Sequence, residues 1–359
     1  MDVIFTDVAV IGAGQAGLSA GYHLRKAGRS PGDGFVMLDR SPGPGGAWQY
    51  RWPSLTLRTV NGVHDLPGMA FADTLTGASP DKVTAAEAVP RYYRAYEEKF
   101  DLQVQRPVTV TVVCDREPRF RVEAGETVLS ARGLINATGT WEKPFIPHYQ
   151  GAETFRGQQL HTKDYSTPDA FTGKHVVVVG GGISAVQLLD EISQVTSTTW
   201  VTRREPVFRD SEFGPEAGRA AVAMVEERVR SGLPPGSVVS VTGLLLTDSL
   251  RAARDRGALQ RLPMFSQIVP DGVAWADGST VRADVILWAT GFRSALDHLA
   301  PLRLRGHGGG IVMDGRLATR VAADHRVHLL GYGPSASTIG ANRAGRAAVS
   351  ELLETLRIR

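Results

Sequence analysis

The chain has 359 residues, a formal net charge of +3 from 40 basic and 37 acidic residues, and a single cysteine, Cys114. A chain of this length predicts about two domains, and 42% hydrophobic with 21% charged residues excludes wholesale disorder. Near-balanced charge gives nucleic-acid binding no footing, and one cysteine excludes a disulfide framework or a dithiol relay within one chain.

The N-terminus carries acid where a secretory leader carries base, and no run of about 18 apolar residues exists. A cytoplasmic protein without a membrane span is therefore expected. Val8-Ala9-Val10-Ile11 is an apolar, β-branched run of the kind that forms a buried parallel strand. Gly12-Ala13-Gly14-Gln15-Ala16-Gly17 follows, then a helix to about Ala27, a strand Phe35-Val36-Met37-Leu38, and Asp39-Arg40. A Gly/Pro-rich loop ends in Gly45-Gly46-Ala47-Trp48. Residues 50–90 read as loop, Tyr92 to Phe100 as helix, and 102–136 as hairpins closing on Ala137-Thr138-Gly139.

At Val176-Val177-Val178-Val179 the opening pattern restarts. Gly180-Gly181-Gly182-Ile183-Ser184-Ala185 precedes a helix to about Ser193 and a strand over 198–202. Residues 212–260 read as helical and irregular. Val281 to Leu287 reads as one strand leading to Ala289-Thr290-Gly291. A last strand at 327–331 and a helix from about Thr338 end the chain. One nucleotide-binding design is thus used twice, and the simplest arrangement inserts the second unit into the first.

Each glycine has its own task in such a turn. Gly12 and Gly180 permit the tight turn, Gly14 and Gly182 let a pyrophosphate reach backbone N–H groups at a helix N-terminus, and Gly17 and Ala185 let helix pack on strand. Gly331-Tyr332-Gly333-Pro334-Ser335-Ala336 fits the same string, but no second strand follows. It reads as a loop that delivers the last helix. The end of each second strand distinguishes the nucleotides. Asp39 stands where an acid holds ribose hydroxyls, which suits FAD or NAD. Arg203 and Arg204 stand at the matching place in the second unit, where guanidinium groups suit the 2′-phosphate of NADPH. Adjacent Glu205 keeps NADH open.

Between the two units lies Phe155-Arg156-Gly157-Gln158-Gln159-Leu160-His161-Thr162-Lys163-Asp164-Tyr165. It fits Phe-x-Gly-x-x-x-His-x-x-x-(Tyr or Phe). Here the chain resembles the flavin-containing monooxygenases, the class B flavoprotein monooxygenases, and in particular their short bacterial members. The resemblance runs over nearly the whole chain. It implies an α/β fold of two Rossmann-like dinucleotide-binding domains, with the NAD(P)H domain (151–290) inserted into an FAD domain (1–150 and 291–359). Residues 12–17 are similar to the family's FAD motif, 180–185 to its NADPH motif, Gly46-Ala47-Trp48 to its stretch beside the flavin, and the two Ala-Thr-Gly phrases to its interdomain crossings. The implied reaction uses NADPH and O2, through a C4a-hydroperoxyflavin, to oxygenate soft sulfur or nitrogen nucleophiles, with ketones open by a Baeyer–Villiger reaction.

Two departures bear on scope. Tyr165-Ser166 stands where related Baeyer–Villiger enzymes carry Trp-Pro. The stretch Leu57-Arg58-Thr59-Val60-Asn61 corresponds to the one that carries a peroxide-holding asparagine in many members, and Arg58 and Asn61 are both candidates. His161 is weighted toward a structural or domain-coupling role. Trp48, Trp52 and Trp288 are each core or flavin wall. The N-terminus of the last helix, near Thr338, could stabilise negative charge on reduced flavin. Expected partners are a small-molecule substrate and O2, with a homodimer open and no metal. The competing readings are an NADPH oxidase or other FAD-dependent reductase, a disulfide reductase disfavoured by the single cysteine, and a non-catalytic flavoprotein.

Overall fold

The computed structural model describes residues 3–358 except 61, 76, 78, 80, 211–214 and 237–242, and leaves aside the side chains of 215–219, 338 and 339. In chain order the strands and longer helices begin with β1 (Val3–Ile11), α1 (Gln15–Lys26), β2 (Phe35–Leu38), α2 (Ala85–Lys99), β3 (Val112–Arg116), β4 (Arg119–Ala124) and β5 (Thr127–Asn136). There follow β6 (Gln158–His161), β7 (Val176–Val179), α3 (Ile183–Ile192), β8 (Thr198–Thr202), β9 (Phe208–Arg209), α4 (Pro215–Arg230) and β10 (Leu244–Leu245). A short helix (Asp248–Asp255) leads to β11 (Arg261–Pro263), β12 (Gln267–Val269), β13 (Gly272–Ala274), β14 (Thr280–Arg282) and β15 (Val285–Trp288). The chain ends with β16 (Met313–Asp314), β17 (Arg320–Val321), β18 (Asp324–Leu329) and a last helix (Thr338–Thr355).

These elements form two compact units. The first comprises Met1–Thr140, Val222–Gly236 and Ser294–Arg359; the second comprises Trp141–Ala221 and Ser237–Arg293. The divisions at 140 and 293 stand beside the sequence-based ones at 150 and 290. The return of Val222–Gly236 to the first unit has no marker in the sequence.

In the first unit one eight-stranded sheet runs β16-β17-β18-β5-β1-β2, with β4 also paired to β5 and β3 to β4. Its centre is parallel: Val10 pairs with Met37 on one side and Ile135 on the other. Side-chain alternation sends Val8, Val10, Phe35 and Met37 to one core with α1, α2 and the last helix. Ala9, Ile11, Val36 and Leu38 go to the opposite face. Both faces are buried, which is why these strands read as unbroken apolar runs.

The second unit carries a five-stranded parallel sheet, β11-β8-β7-β15-β6, and a separate antiparallel sheet, β12-β13-β14. The single strand expected over 281–287 is therefore two: β14 belongs to the antiparallel sheet and β15 to the parallel one. Asp284 interrupts them because its carbonyl accepts from Gln158 N and its carboxylate from His175 N. Helix α2 begins well before Tyr92. Pro90 lies within it, and the loop-like composition of 50–90 hid its first two turns.

Candidate functional site

Both glycine turns sit where a parallel strand hands over to a helix, and each is shaped by an Ala-Thr-Gly phrase. Gly12 (φ +97°) and Gly180 (φ +139°) adopt backbone angles that side chains resist. A Cβ on Gly12 would lie 2.5 Å from the Ala137 carbonyl oxygen, and one on Gly180 would lie 2.2 Å from that of Ala289. The same alanines donate their N–H to Ile11 and Val179, the last residues of β1 and β7. A Cβ on Gly17 would come within 1.9 Å of the Gly12 carbonyl oxygen. Ala16 and Ala185 are buried.

Gly14 and Gly182 differ from these. A Cβ on either would meet nothing within 4 Å. Each is the N-cap of its helix, with no side-chain cap and no acid in the first turn. By contrast, Ser337 caps the last helix by accepting from Gly340 N. The first turns of α1 and α3 thus present uncapped N–H groups beside open space, which fits an anion such as pyrophosphate. Ile183 and Ser184 open α3. Gly46 lies against the first turn, its would-be Cβ 3.0 Å from the Gly14 Cα. Ala47 and Trp48 follow in a short helix, with the Arg51 guanidinium over the Trp48 ring.

Asp39 is buried at 6% exposure. Its Oδ2 accepts from Ala13 N at 2.6 Å, inside the first turn, and its Oδ1 from Ser41 N at 2.8 Å. A carboxylate offers about four acceptor positions, so capacity remains for ribose hydroxyls. Arg40 is exposed. Gln15 bridges outward: its Oε1 accepts from Tyr93, and its Nε2 donates to the Asn342 Oδ1. Thr138 donates to the Ala295 carbonyl, and Gly139 accepts from Ala295 N.

The second unit carries positive charge at the corresponding strand end. Arg203 and Arg204, just past β8, are exposed, and neither is ion-paired to a described residue. Arg261 on neighbouring β11 donates through Nε to Thr202 Oγ1, and Thr202 donates to the Arg204 carbonyl. Sequence reasoning missed Arg261, because only strand pairing brings it there. Thr290 donates to the Phe145 carbonyl, and Gly291 accepts from His161 Nε2 at 2.9 Å. Lys163 N donates to His161 Nδ1, so the tautomer protonated on Nε2 satisfies both contacts. Burial lowers the His161 pKa, with the Gly291 bond opposing. His161 thus ties the linking motif to the second Ala-Thr-Gly.

Of the remaining expected residues, Arg58 is exposed and paired to Asp81 at 3.2 Å. Asn61 lies outside the described residues, as does the side chain of Thr338. Trp288 is core, fully buried and bonded to Gln159, and Trp52 is buried at 4%. Two tyrosines of α2 hold the segment after 64: Tyr92 accepts from Leu66 N and donates to the Met69 carbonyl, while Tyr96 donates to that of Pro67. No cluster of three or more His, Cys, Asp or Glu among the described residues could hold a metal. No helix among them is long and apolar enough to cross a membrane.

Residues 9–232 match the pyridine nucleotide-disulphide oxidoreductase family. A solved flavin-containing monooxygenase from Stenotrophomonas maltophilia is 38% identical, covering 99% of this chain and 100% of that one, with a TM-score of 0.82. An oxidoreductase of Bacillus velezensis named CzcO is 28% identical over 298 residues, 81% of this chain and 82% of its own. An indole-3-pyruvate monooxygenase of Oryza sativa subsp. japonica is 26% identical over 333 residues, 79% of this chain and 74% of its own. The first family's description names disulphide chemistry; the one cysteine of this chain excludes a redox-active cysteine pair within it. The twin turns, the single cysteine and these relatives agree: the chain belongs to the flavin-containing monooxygenases, within reach of the wider pyridine nucleotide-disulphide oxidoreductase family, and is an oxidoreductase that uses FAD and a nicotinamide cofactor.

Proposed function

We propose that the first glycine turn holds FAD, that the second holds NADPH in preference to NADH, and that the enzyme transfers one atom of O2 to a soft sulfur or nitrogen nucleophile, with ketones as a second substrate class. The observation that carries the cofactor assignment is the contrast at the two strand ends: a buried carboxylate at Asp39, and two exposed guanidinium groups at Arg203 and Arg204. Bound FAD would supply the redox chemistry, taking reducing equivalents from the nicotinamide and passing them to O2.

The chain's own residues bind and orient. Gly14 and Gly182 would let pyrophosphates approach the N–H groups of α1 and α3. Asp39 would accept from the adenosine ribose of FAD. Arg203 and Arg204 would bind a 2′-phosphate through charge-assisted bonds. Gly46, Ala47 and Trp48 would line the flavin side of the first turn. Tyr92 and Tyr96 of α2 hold the segment from Leu66 to Met69 by three hydrogen bonds, which would suit a preformed pocket wall there. The N-terminus of the last helix would place positive potential near reduced flavin.

The test is to reduce the holoprotein anaerobically with NADPH and mix it rapidly with O2 and an aryl methyl sulfide. The reading predicts a flavin absorbance distinct from both oxidised and reduced forms, followed by sulfoxide in proportion to NADPH consumed. Direct return to oxidised flavin, with hydrogen peroxide as the sole oxygen product, would overturn it in favour of an oxidase.

A further inference from the structure

The backbone of Asp39 is held on both sides by a segment far away in sequence. Its backbone N–H donates to the Gln105 carbonyl, and its own carbonyl accepts from Val108 N. Between those two contacts stands Arg106, whose side chain is 9% exposed. Its Nη1 and Nη2 donate to Glu97 of α2 as a fork, at 2.6 and 2.7 Å. The remaining edge, Nε, faces Asp39 Oδ1 at 3.7 Å.

That geometry divides the guanidinium between two carboxylates. At 3.7 Å the Nε contact is too long for a hydrogen bond, so Arg106 acts on Asp39 through charge. Nε makes no hydrogen bond of its own and is buried. A buried, unmade donor is costly, which makes a purely architectural role for this edge a poor use of it. Without the cation, Asp39 and Glu97 would be two buried carboxylates in mutual repulsion. Burial already pushes the Glu97 pKa up, with Asp39 adding to that push and Arg106 opposing it. The fork on Glu97 fixes the plane of the guanidinium, which a lysine could not reproduce.

We propose that Arg106, fixed in place by Glu97, is a positioning residue for the dinucleotide site of the first unit: it offsets the buried charge of Asp39 and keeps that carboxylate oriented to accept from the ribose hydroxyls of an adenosine group. The proposal rests on the reading of Asp39 as the ribose acid. It extends the site to two residues that touch no part of the glycine motif, and it makes α2 a buttress of the adenosine end.

The experiment is a double-mutant cycle on FAD retention by the holoprotein, read from flavin fluorescence released on dilution. The variants are Asp39→Asn, Arg106→Met and the two combined, with Arg106→Lys as the conservative variant. Each single change is expected to raise the FAD dissociation constant about tenfold, with the double no more than about twofold worse than the weaker single, a coupling of about fivefold. Arg106→Lys is expected to lose less affinity than Arg106→Met where Asp39 is present, and no less in the Asp39→Asn background. A merely structural Arg106 would lower affinity to the same factor with or without Asp39, so multiplicative losses would overturn the proposal, as would unchanged retention in Arg106→Met. Should Arg106→Met fail to fold, Glu97→Gln takes its place, and independent losses there count equally against the proposal. Normal FAD retention in Asp39→Asn would overturn the ribose reading itself, and the proposal with it.

Discussion

The two glycine turns share one backbone design but are finished in opposite ways. In the first, the acid at the strand end is buried and accepts from the turn itself, through Ala13 N. In the second, the strand end carries two exposed arginines, with a third bonded to the residue before them. On the proposed reading, the shared backbone shape would let both turns receive a pyrophosphate, and the side chains a strand-length away would set which nucleotide arrives. The first strand end carries its charge buried, and the second carries it exposed; the proposed reading matches the first to a cofactor that stays and the second to one that exchanges.

The comparison breaks most severely where backbone packs on backbone. Gly17→Ala would drive a methyl to within 1.9 Å of the Gly12 carbonyl oxygen. It is expected to cost about 3 kcal/mol or more, visible as a collapse of Tm or loss of soluble protein. A normal Tm would mean that the turn is looser than described. Gly14→Ala separates ligand from fold. Its Cβ meets nothing, and its φ of −78° suits any residue. Stability of the FAD-free protein should stay within about 0.5 kcal/mol, while FAD binding falls at least about tenfold. Gly182→Ala should do the same to NADPH alone. If either substitution instead unfolded the protein, the open space at these glycines could not be the ligand's approach.

A smaller effect concerns the support behind the first turn. Tyr93 is fully buried and donates to Gln15 at 2.6 Å, and burial raises its pKa. Tyr93→Phe leaves Gln15 Oε1 short of a donor and should cost about 1 kcal/mol, measured by denaturant unfolding. No change would show that Gln15 finds another partner.

A further effect concerns pH. Burial pulls His298 down to about 4 and His328 to about 3. Above the unfolded value of 6.5 both states are neutral and these groups are silent. Below it the unfolded chain gains protons that the folded one refuses, so stability falls as pH drops from about 6.5 toward 4. His328→Leu should flatten part of that slope in Tm against pH. An identical slope would remove His328 from the account.

Much of this was written locally. Glycines at fixed offsets after a β-branched run announce a strand–turn–helix, because positive φ and close approach demand them. The Ala-Thr-Gly phrases were visible as repeats, although their packing on Gly12 and Gly180 was not. What stayed hidden depends on contacts between distant segments. Arg106 reaches Asp39 only because residues 105–108 run alongside the end of β2. Arg261 reaches Thr202 only because β11 pairs with β8. The return of Val222–Gly236 to the first unit and the start of α2 ahead of Pro90 likewise follow from packing, which overrides local composition.

The division of labour between the turns is tested most directly by kcat/KM for flavin reduction with NADPH and with NADH, in wild type and in Arg203→Gln/Arg204→Ala. The account predicts that the double variant loses at least about tenfold with NADPH, from two charge-assisted phosphate contacts, and changes little with NADH. Equal losses with both cofactors would contradict it.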